Sequence, residues 1–240
     1  MTSPRVLLVC LRDPDDPMVA HEVSAFTTRA GLAPGQLDIH HMCDGTPSLS
    51  KADVVFFGGS GSYSVLDDVL WIRQGMDLLL HVVDRKIPAW ASCFGFQGLA
   101  LALGGEVNRD PERTEMGAVY LKPTPESAAD PVFSVLPAGG FWAQQGHQDH
   151  VDRLPEGVTR MAEGTEIRNQ AFKVDRAPFW ASQFHPELTA KTTLDRFHHY
   201  SARYLSPEQQ VTQLAQISRG TDSPEVGTLL RRVVATAAGT

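Results

Sequence analysis

Residues Pro88 to Gly105 read PAWASCFGFQGLALALGG: a short apolar run opened by a proline, a cysteine, then an Ala- and Leu-rich segment closed by two glycines. Ile87 to Ala91 has the length and character of a buried strand. Phe96 to Leu103 has those of an apolar helix, with Gly104 and Gly105 as its C-terminal cap. Cys93 therefore falls at a strand-to-helix junction. There the free N–H groups of the first helical turn are expected to lower the thiol pKa, and Gly95 to let a substrate approach the backbone. The competing reading is a packed core cysteine at a tight turn, since free cysteines are among the most buried residues. Partners elsewhere in the chain decide between the two.

Upstream, the pattern is repeated strand and helix. RVLLVCL (Arg5 to Leu11) reads as a central strand, followed by a helix from Met18 to Ala30 ended by Gly31. Leu37 to Met42 is a second strand. ADVVFF (Ala52 to Phe57) is a third, running into Gly58-Gly59-Ser60-Gly61-Ser62, and Asp67 to Asp84 is a helix. This alternation predicts an α/β fold with an open, mostly parallel sheet and helices on both faces. The glycine-rich loop lacks the Lys-Ser/Thr ending of a nucleotide-binding loop and the spacing of a dinucleotide fingerprint.

Downstream, Glu106 to Asp110, Glu115 to Lys122, Gly140 to Gln145, Thr159 to Ala162 and Asn169 to Val174 are short strands broken by Pro, Gly and Asp, the mark of antiparallel additions to the sheet. Ala181 to Phe184 is another apolar strand, with His185-Pro186-Glu187 just beyond it, and Leu188 to Leu205 is a closing helix. We expect one domain over residues 1–206 and a helical C-terminal extension over 207–240, with helices at Glu208 to Arg219 and Pro224 to Ala235 around a break at Gly220-Thr221-Asp222. The extension's apolar positions suit packing on the parent domain or on a second copy in a homodimer, and a partly ordered surface appendage is the alternative.

Bulk composition narrows the function. With 240 residues, 42% of them hydrophobic, the chain can bury a full core, and its formal charge of −7 gives no electrostatic case for nucleic acid or an anionic membrane. Cys10, Cys43 and Cys93 have no metal-site spacing, so neither a disulfide framework nor a bound metal is expected. No segment has the length of a membrane span or the pattern of a signal peptide, so a cytoplasmic protein is expected.

A cysteine nucleophile needs a proton acceptor, and a histidine in that role works best when a third group fixes its tautomer. His185 and Glu187 supply such a pair at the mouth of a strand, the level at which Cys93 also sits. An extended backbone at His185-Pro186-Glu187 turns both side chains to one side.

Together, Ala91-Ser92-Cys93-Phe94-Gly95-Phe96-Gln97 and Gln183-Phe184-His185-Pro186-Glu187 closely resemble the two-part signature of the class I, or triad, glutamine amidotransferase domain, over about Val6 to Tyr204. Gly146-His147-Gln148-Asp149 and Asn169-Gln170-Ala171-Phe172 are similar to segments of the subfamily typified by the amidotransferase domain of GMP synthetase. The resemblance implies flavodoxin-like layers and a reaction without a cofactor. In it Cys93 attacks the side-chain amide of glutamine, His185 transfers the proton, Glu187 orients His185, and water hydrolyses the glutamyl thioester after ammonia leaves. It further implies an oxyanion hole from the N–H groups of Gly59 and Phe94 and a substrate-binding role for Gln97; His147 and Asp149 are candidates for substrate binding or for support of the residues that bind it, with a plain polar hairpin as the alternative. Two departures stand out: Ala91 occupies a position that is commonly glycine in the family, and the loop GGSGSYSV is longer than the usual Gly-Gly-Pro form.

Three functions follow as alternatives: a glutaminase that delivers ammonia to a separate synthase partner, a hydrolase or transferase of another γ-glutamyl amine or peptide, and an inactive binding or regulatory subunit. No ammonia-using domain is recognisable within the chain, and the segment after Pro207 is too short to be one. If the Asp149 carboxylate receives the α-ammonium group of the substrate, Asp149→Asn raises KM for glutamine more than it lowers kcat. Steady-state kinetics measure this, and an unchanged KM argues against the role.

Overall fold

The computed structural model describes residues 3–217 and 221–237. Its first part alternates strand and helix: β1 (Val6–Cys10), α1 (Met18–Ala30), β2 (Leu37–His41), β3 (Val54–Phe57), α2 (Leu70–Asp84), β4 (Ala89–Ser92) and α3 (Phe94–Ala102). Seven strands follow: β5 (Glu106–Arg109), β6 (Glu115–Pro123), β7 (Phe141–His147), β8 (Asp149–Arg153), β9 (Val158–Glu163), β10 (Ala171–Val174) and β11 (Phe179–Ser182). The chain closes with α4 (Ala190–Tyr204), α5 (Pro207–Ile217) and α6 (Leu229–Ala237).

Nine of the strands form one sheet in the order β2-β1-β3-β4-β11-β10-β9-β6-β7. The first five are parallel to one another, and the remaining four continue it antiparallel. The strand-helix alternation of the sequence thus corresponds to the parallel part, and the Pro- and Gly-broken segments to the antiparallel part. One expectation is corrected. The strand at Glu106 does not join the open sheet but pairs with β8 in a separate two-stranded sheet. β8 reads DHVDR, too short and too charged for its alternation to announce a strand; its pairing with β5 is what makes it one.

The sheet is buried on both faces because its central strands are apolar except for the serines that end β4 and β11. In β1, Leu7 and Val9 point to one layer with Ile72, Leu79 and Val83 of α2 and Phe96 and Leu99 of α3, while Val6, Leu8 and Cys10 point to the other with Phe26 of α1. Helix α1 stops at Gly31, whose φ of 68° puts it in the left-handed region, where its N–H returns to Thr27 and Thr28 carbonyls. Gly95, expected to admit a substrate, serves packing instead: a Cβ there would lie 3.0 Å from the Phe57 Cβ and 3.1 Å from the Ala91 Cβ. The absent side chain lets α3 sit directly on β3 and β4.

In the C-terminal segment, Ile217 of α5 lies over Gly117 of β6. Leu229, Leu230 and Val233 of α6 are buried in the layer that holds Phe26, Phe56 and Trp90. Arg219, where the first extension helix is expected to end, and Gly220 lie outside the described residues. No helix among the described residues is long and apolar enough to cross a membrane. Because Leu230 is fully buried, Leu230→Ala is expected to destabilise the domain by ~2–5 kcal/mol in urea unfolding. A leucine on a detached appendage would cost under about 0.5 kcal/mol.

Candidate active site

Parallel strands bring their carboxyl ends to one edge of the sheet, and four adjacent ends carry the residues of interest. Arg12 follows β1, Gly58 and Gly59 follow β3, Cys93 follows β4, and Gln183 and His185 follow β11. Cys93 stands at the cap position of α3 with φ 49° and ψ −100°, a left-handed backbone that a non-glycine residue rarely adopts. Its surroundings hold it there: the Cys93 N–H donates to the Ser182 carbonyl at 2.8 Å, and the Cys93 carbonyl accepts the Gln97 N–H at 3.0 Å. The strain turns the sulfur towards a cavity of about 410 Å³ that His185 also lines.

His185 Nδ1 lies 2.6 Å from Glu187 Oε1. Ser92, the residue before the cysteine, donates its hydroxyl to the other oxygen of Glu187 at 3.0 Å and accepts the Trp90 indole N–H at 3.1 Å. Arg196 of α4 approaches the same carboxylate at 3.5 Å and His185 Nδ1 at 3.3 Å. The carboxylate is buried, and burial alone would raise its pKa; the charge and hydrogen bond of His185, then Arg196, outweigh that and hold it at about 2. Cys93 behaves differently from the expectation of an activated thiolate. Burial, then the negative charge of Glu187, pushes its thiol up to about 12, against Arg196 and the Phe94 N–H. The helix N-terminus contributes in the expected sense but does not dominate a site this enclosed.

Gly59 lies between Cys93 and His185: a Cβ there would fall 3.1 Å from His185 Cε1 and 3.8 Å from the Cys93 Cβ. Its N–H, expected to face an oxyanion, donates instead to Glu22 Oε1 at 3.2 Å, while its carbonyl accepts from Arg12 at 3.1 Å. The reason is electrostatic. Glu22 is a fully buried carboxylate that must collect donors, and it does so from Arg12 at 2.9 and 3.2 Å and from the backbone of a loop whose glycines let it come close. Arg12 also donates to the Tyr200 hydroxyl at 2.7 Å, and Glu22 lifts its guanidinium pKa above the ordinary value despite burial.

The expected substrate-binding residues come together on the opposite wall. Gln97 Nε2 donates to the Asp149 carbonyl at 2.7 Å and to Gln183 Oε1 at 3.2 Å. His147 places Nδ1 2.9 Å from the same carbonyl and Nε2 3.1 Å from Glu115. The Asp149 carboxylate accepts from Arg109 at 3.1 Å and from the Ser64 hydroxyl, so both oxygens have protein partners. All three residues line the cavity that holds Cys93. Sequence reasoning missed Arg12, Glu22, Gln183, Arg196 and Tyr200. Signals existed for the first two: an arginine directly after an apolar strand, and a glutamate four residues before Phe26 on the buried face of α1. Among the described residues, no group of His, Cys, Asp and Glu is arranged to hold a metal ion.

Comparison with known proteins gives a consistent picture. The model of the family described as glutamine amidotransferase class-I matches residues 18–199. GMP synthase [glutamine-hydrolyzing] of Thermosipho africanus is 33% identical over 142 residues, 59% of this chain and 25% of that protein. GMP synthase [glutamine-hydrolyzing] of Thermotoga maritima is 35% identical over 146 residues, 60% of this chain and 26% of that protein. The chain thus spans about a quarter of the length of these relatives. A crystal structure of a glutamine amidotransferase from Thermotoga maritima superposes with a TM-score of 0.75 at 19% identity, covering 100% of both chains, which establishes the common fold.

Glu187 predicts a pH dependence. Its carboxyl falls from 4.5 to about 2 on folding, so its ionisation stabilises the native state fully above pH 4.5, and that contribution is lost as the pH falls towards 2. The difference amounts to about 3 kcal/mol. Urea midpoints of the wild type and Glu187→Gln, compared between pH 6 and pH 3, are expected to converge on acidification.

Proposed function

The chain belongs to the glutamine amidotransferase class-I family, and on that premise we propose that it hydrolyses the side-chain amide of glutamine through a thioester on Cys93 and delivers the ammonia to a separate synthase partner. The observation that carries this is the 2.6 Å contact of His185 Nδ1 with the buried Glu187, beside a cysteine held in a strained junction on the same cavity. The contact fixes Nδ1 as the donor to the carboxylate and leaves Nε2 free to take a proton.

Substrate amide enters the cavity. Cys93 Sγ attacks its carbonyl carbon as the thiol proton passes to His185, and Glu187 stabilises the imidazolium so formed. A thiol with a raised pKa suits this order, because deprotonation is coupled to attack instead of preceding it. The tetrahedral oxyanion is met by the Phe94 N–H and, once released by Glu22, by the Gly59 N–H; each such donor is worth ~3 kcal/mol. His185 returns its proton to the departing nitrogen, ammonia leaves, and a water deprotonated by His185 hydrolyses the thioester to glutamate. Gln97, His147 and Asp149 form the wall that receives the amino-acid end of the substrate.

A second reading has one observation in its favour: the cavity extends past His185 along α4 to Phe197, Tyr200 and Ser201. That is room for a leaving group larger than ammonia, as in a γ-glutamyl amine or peptide. A panel of glutamine and γ-glutamyl amines, assayed for glutamate and for the released amine, separates the readings. Glutamine is expected to be the better substrate. Cys93→Ser and His185→Asn are each expected to lower kcat by on the order of 10⁴-fold. A folded protein inert across the panel, with co-purified partners added, would instead be a binding subunit.

A further inference from the structure

We propose that Gln183 is a second donor to the Cys93 sulfur, a catalytic side chain that supports the nucleophile from the protein side of the cavity. Gln183 Nε2 lies 3.6 Å from Cys93 Sγ, within the range of an N–H···S hydrogen bond, and Gln183 is fully buried. The sulfur's open side faces the cavity lined by His185 and Gly59, and Gln183 is not among the lining residues. It therefore reaches the sulfur from behind and leaves the line of attack clear.

The orientation of the Gln183 amide follows from its neighbours, because an amide has two chemically different ends. The Asp149 carbonyl can only accept, so the Gln97 end facing it at 2.7 Å must be Nε2. The second N–H of Gln97 reaches the Gln183 amide at 3.2 Å, so the end it meets must be Oε1. The remaining end of Gln183, its NH₂, is then the one against the sulfur. Its main chain is fixed too, by the Gln183 N–H bond to the Gln170 carbonyl at 2.8 Å. A relay thus runs from the Asp149 carbonyl through two buried amides to the nucleophile.

The consequence is chemical. When the proton leaves for His185, the negative charge on Sγ is met by the Phe94 N–H in front and the Gln183 N–H behind, and hydrogen bonds to a charged group are about twice as strong as those to a neutral one. The same donors face the sulfur when the thioester breaks and the thiolate is expelled. The relay also ties the wall that carries Gln97 and Asp149 to the nucleophile, so displacement of the Asp149 segment is transmitted to Sγ.

The role rests on Cys93 being the nucleophile of the proposed reaction, but its test does not require glutamine. The second-order rate of Cys93 alkylation by iodoacetamide, followed by peptide mass spectrometry from pH 6 to pH 9, reports the thiolate directly. Gln183→Met keeps the bulk and removes the donor; Gln183→Glu keeps Oε1 as an acceptor for Gln97 and sets a carboxylate beside the sulfur. We expect alkylation at pH 8 to slow about tenfold in the first variant, as for a rise of one pKa unit, and further in the second. The kcat for any accepted γ-glutamyl substrate is expected to fall in parallel with little change in KM. Variants that unfold with wild-type midpoints yet alkylate with the wild-type pH profile would overturn the role. If neither variant folds, the wild type labelled with ¹⁵N decides: the Gln183 side-chain N–H resonances should shift on replacement of Cys93 by Ser, and no shift overturns the proposal. Failure to hydrolyse glutamine with an intact alkylation effect would count against the glutaminase reading alone.

Discussion

A carboxylate with no access to water must be surrounded by donors or it will not remain charged, and Glu187 is such a carboxylate. It is met by the imidazole of His185, the hydroxyl of Ser92 and the guanidinium of Arg196. These come from the ends of two neighbouring parallel strands and from α4. Satisfying one charge therefore ties Ser92, the residue before Cys93, to His185, and both to the helix covering the site. The register of β4 against β11, Ser92 opposite Ser182, places the Ser92 hydroxyl where the carboxylate needs it. Every later feature of the site presumes this anchor.

A second buried carboxylate organises the other side. Glu22, with Arg12, holds the Gly58-Gly59 backbone by both its N–H and its carbonyl, and Arg196 lies within 3.9 Å of Glu22 as well as close to Glu187. The two acidic centres thus share one guanidinium. The loop that lies against His185 and the pair that orients His185 belong to a single charge network, built at the one edge of the sheet where parallel strands end together. Polar groups this enclosed are costly singly and rigid collectively, which is how a strained backbone at Cys93 is kept from relaxing.

Much of this is written in local patterns. Apolar runs of four to seven residues followed by helical periodicity show the parallel half of the sheet, and Gly31 ends α1 where the sequence predicts. Cys93, His185 and Glu187 stand out as candidates because their residue types and junction positions carry chemistry, and the structure brings them to one edge of the sheet. What is not legible depends on distant pairing. β8 exists because β5 lies opposite it, and no local pattern in DHVDR says so. Gly95 looks like an opening for substrate until Phe57 and Ala91 are seen against it. From its place at a helix N-terminus the thiol of Cys93 reads as activated, yet enclosure and the charge of Glu187 raise its pKa, and neither is visible in the stretch around it. Gln183 and Arg196 acquire meaning only when the end of β11 and helix α4 are folded against the end of β4.

The proposed reaction requires Cys93 to form the covalent bond to substrate with His185 and Glu187 in support. It is tested most directly by incubating the wild type with glutamine, quenching in acid within one turnover, and measuring the mass of the protein and of its Cys93 peptide. A glutamyl adduct on Cys93 is expected, removed by neutral hydroxylamine and absent from Cys93→Ser. Steady release of glutamate with no adduct on Cys93, or undiminished release by Cys93→Ser, would contradict it.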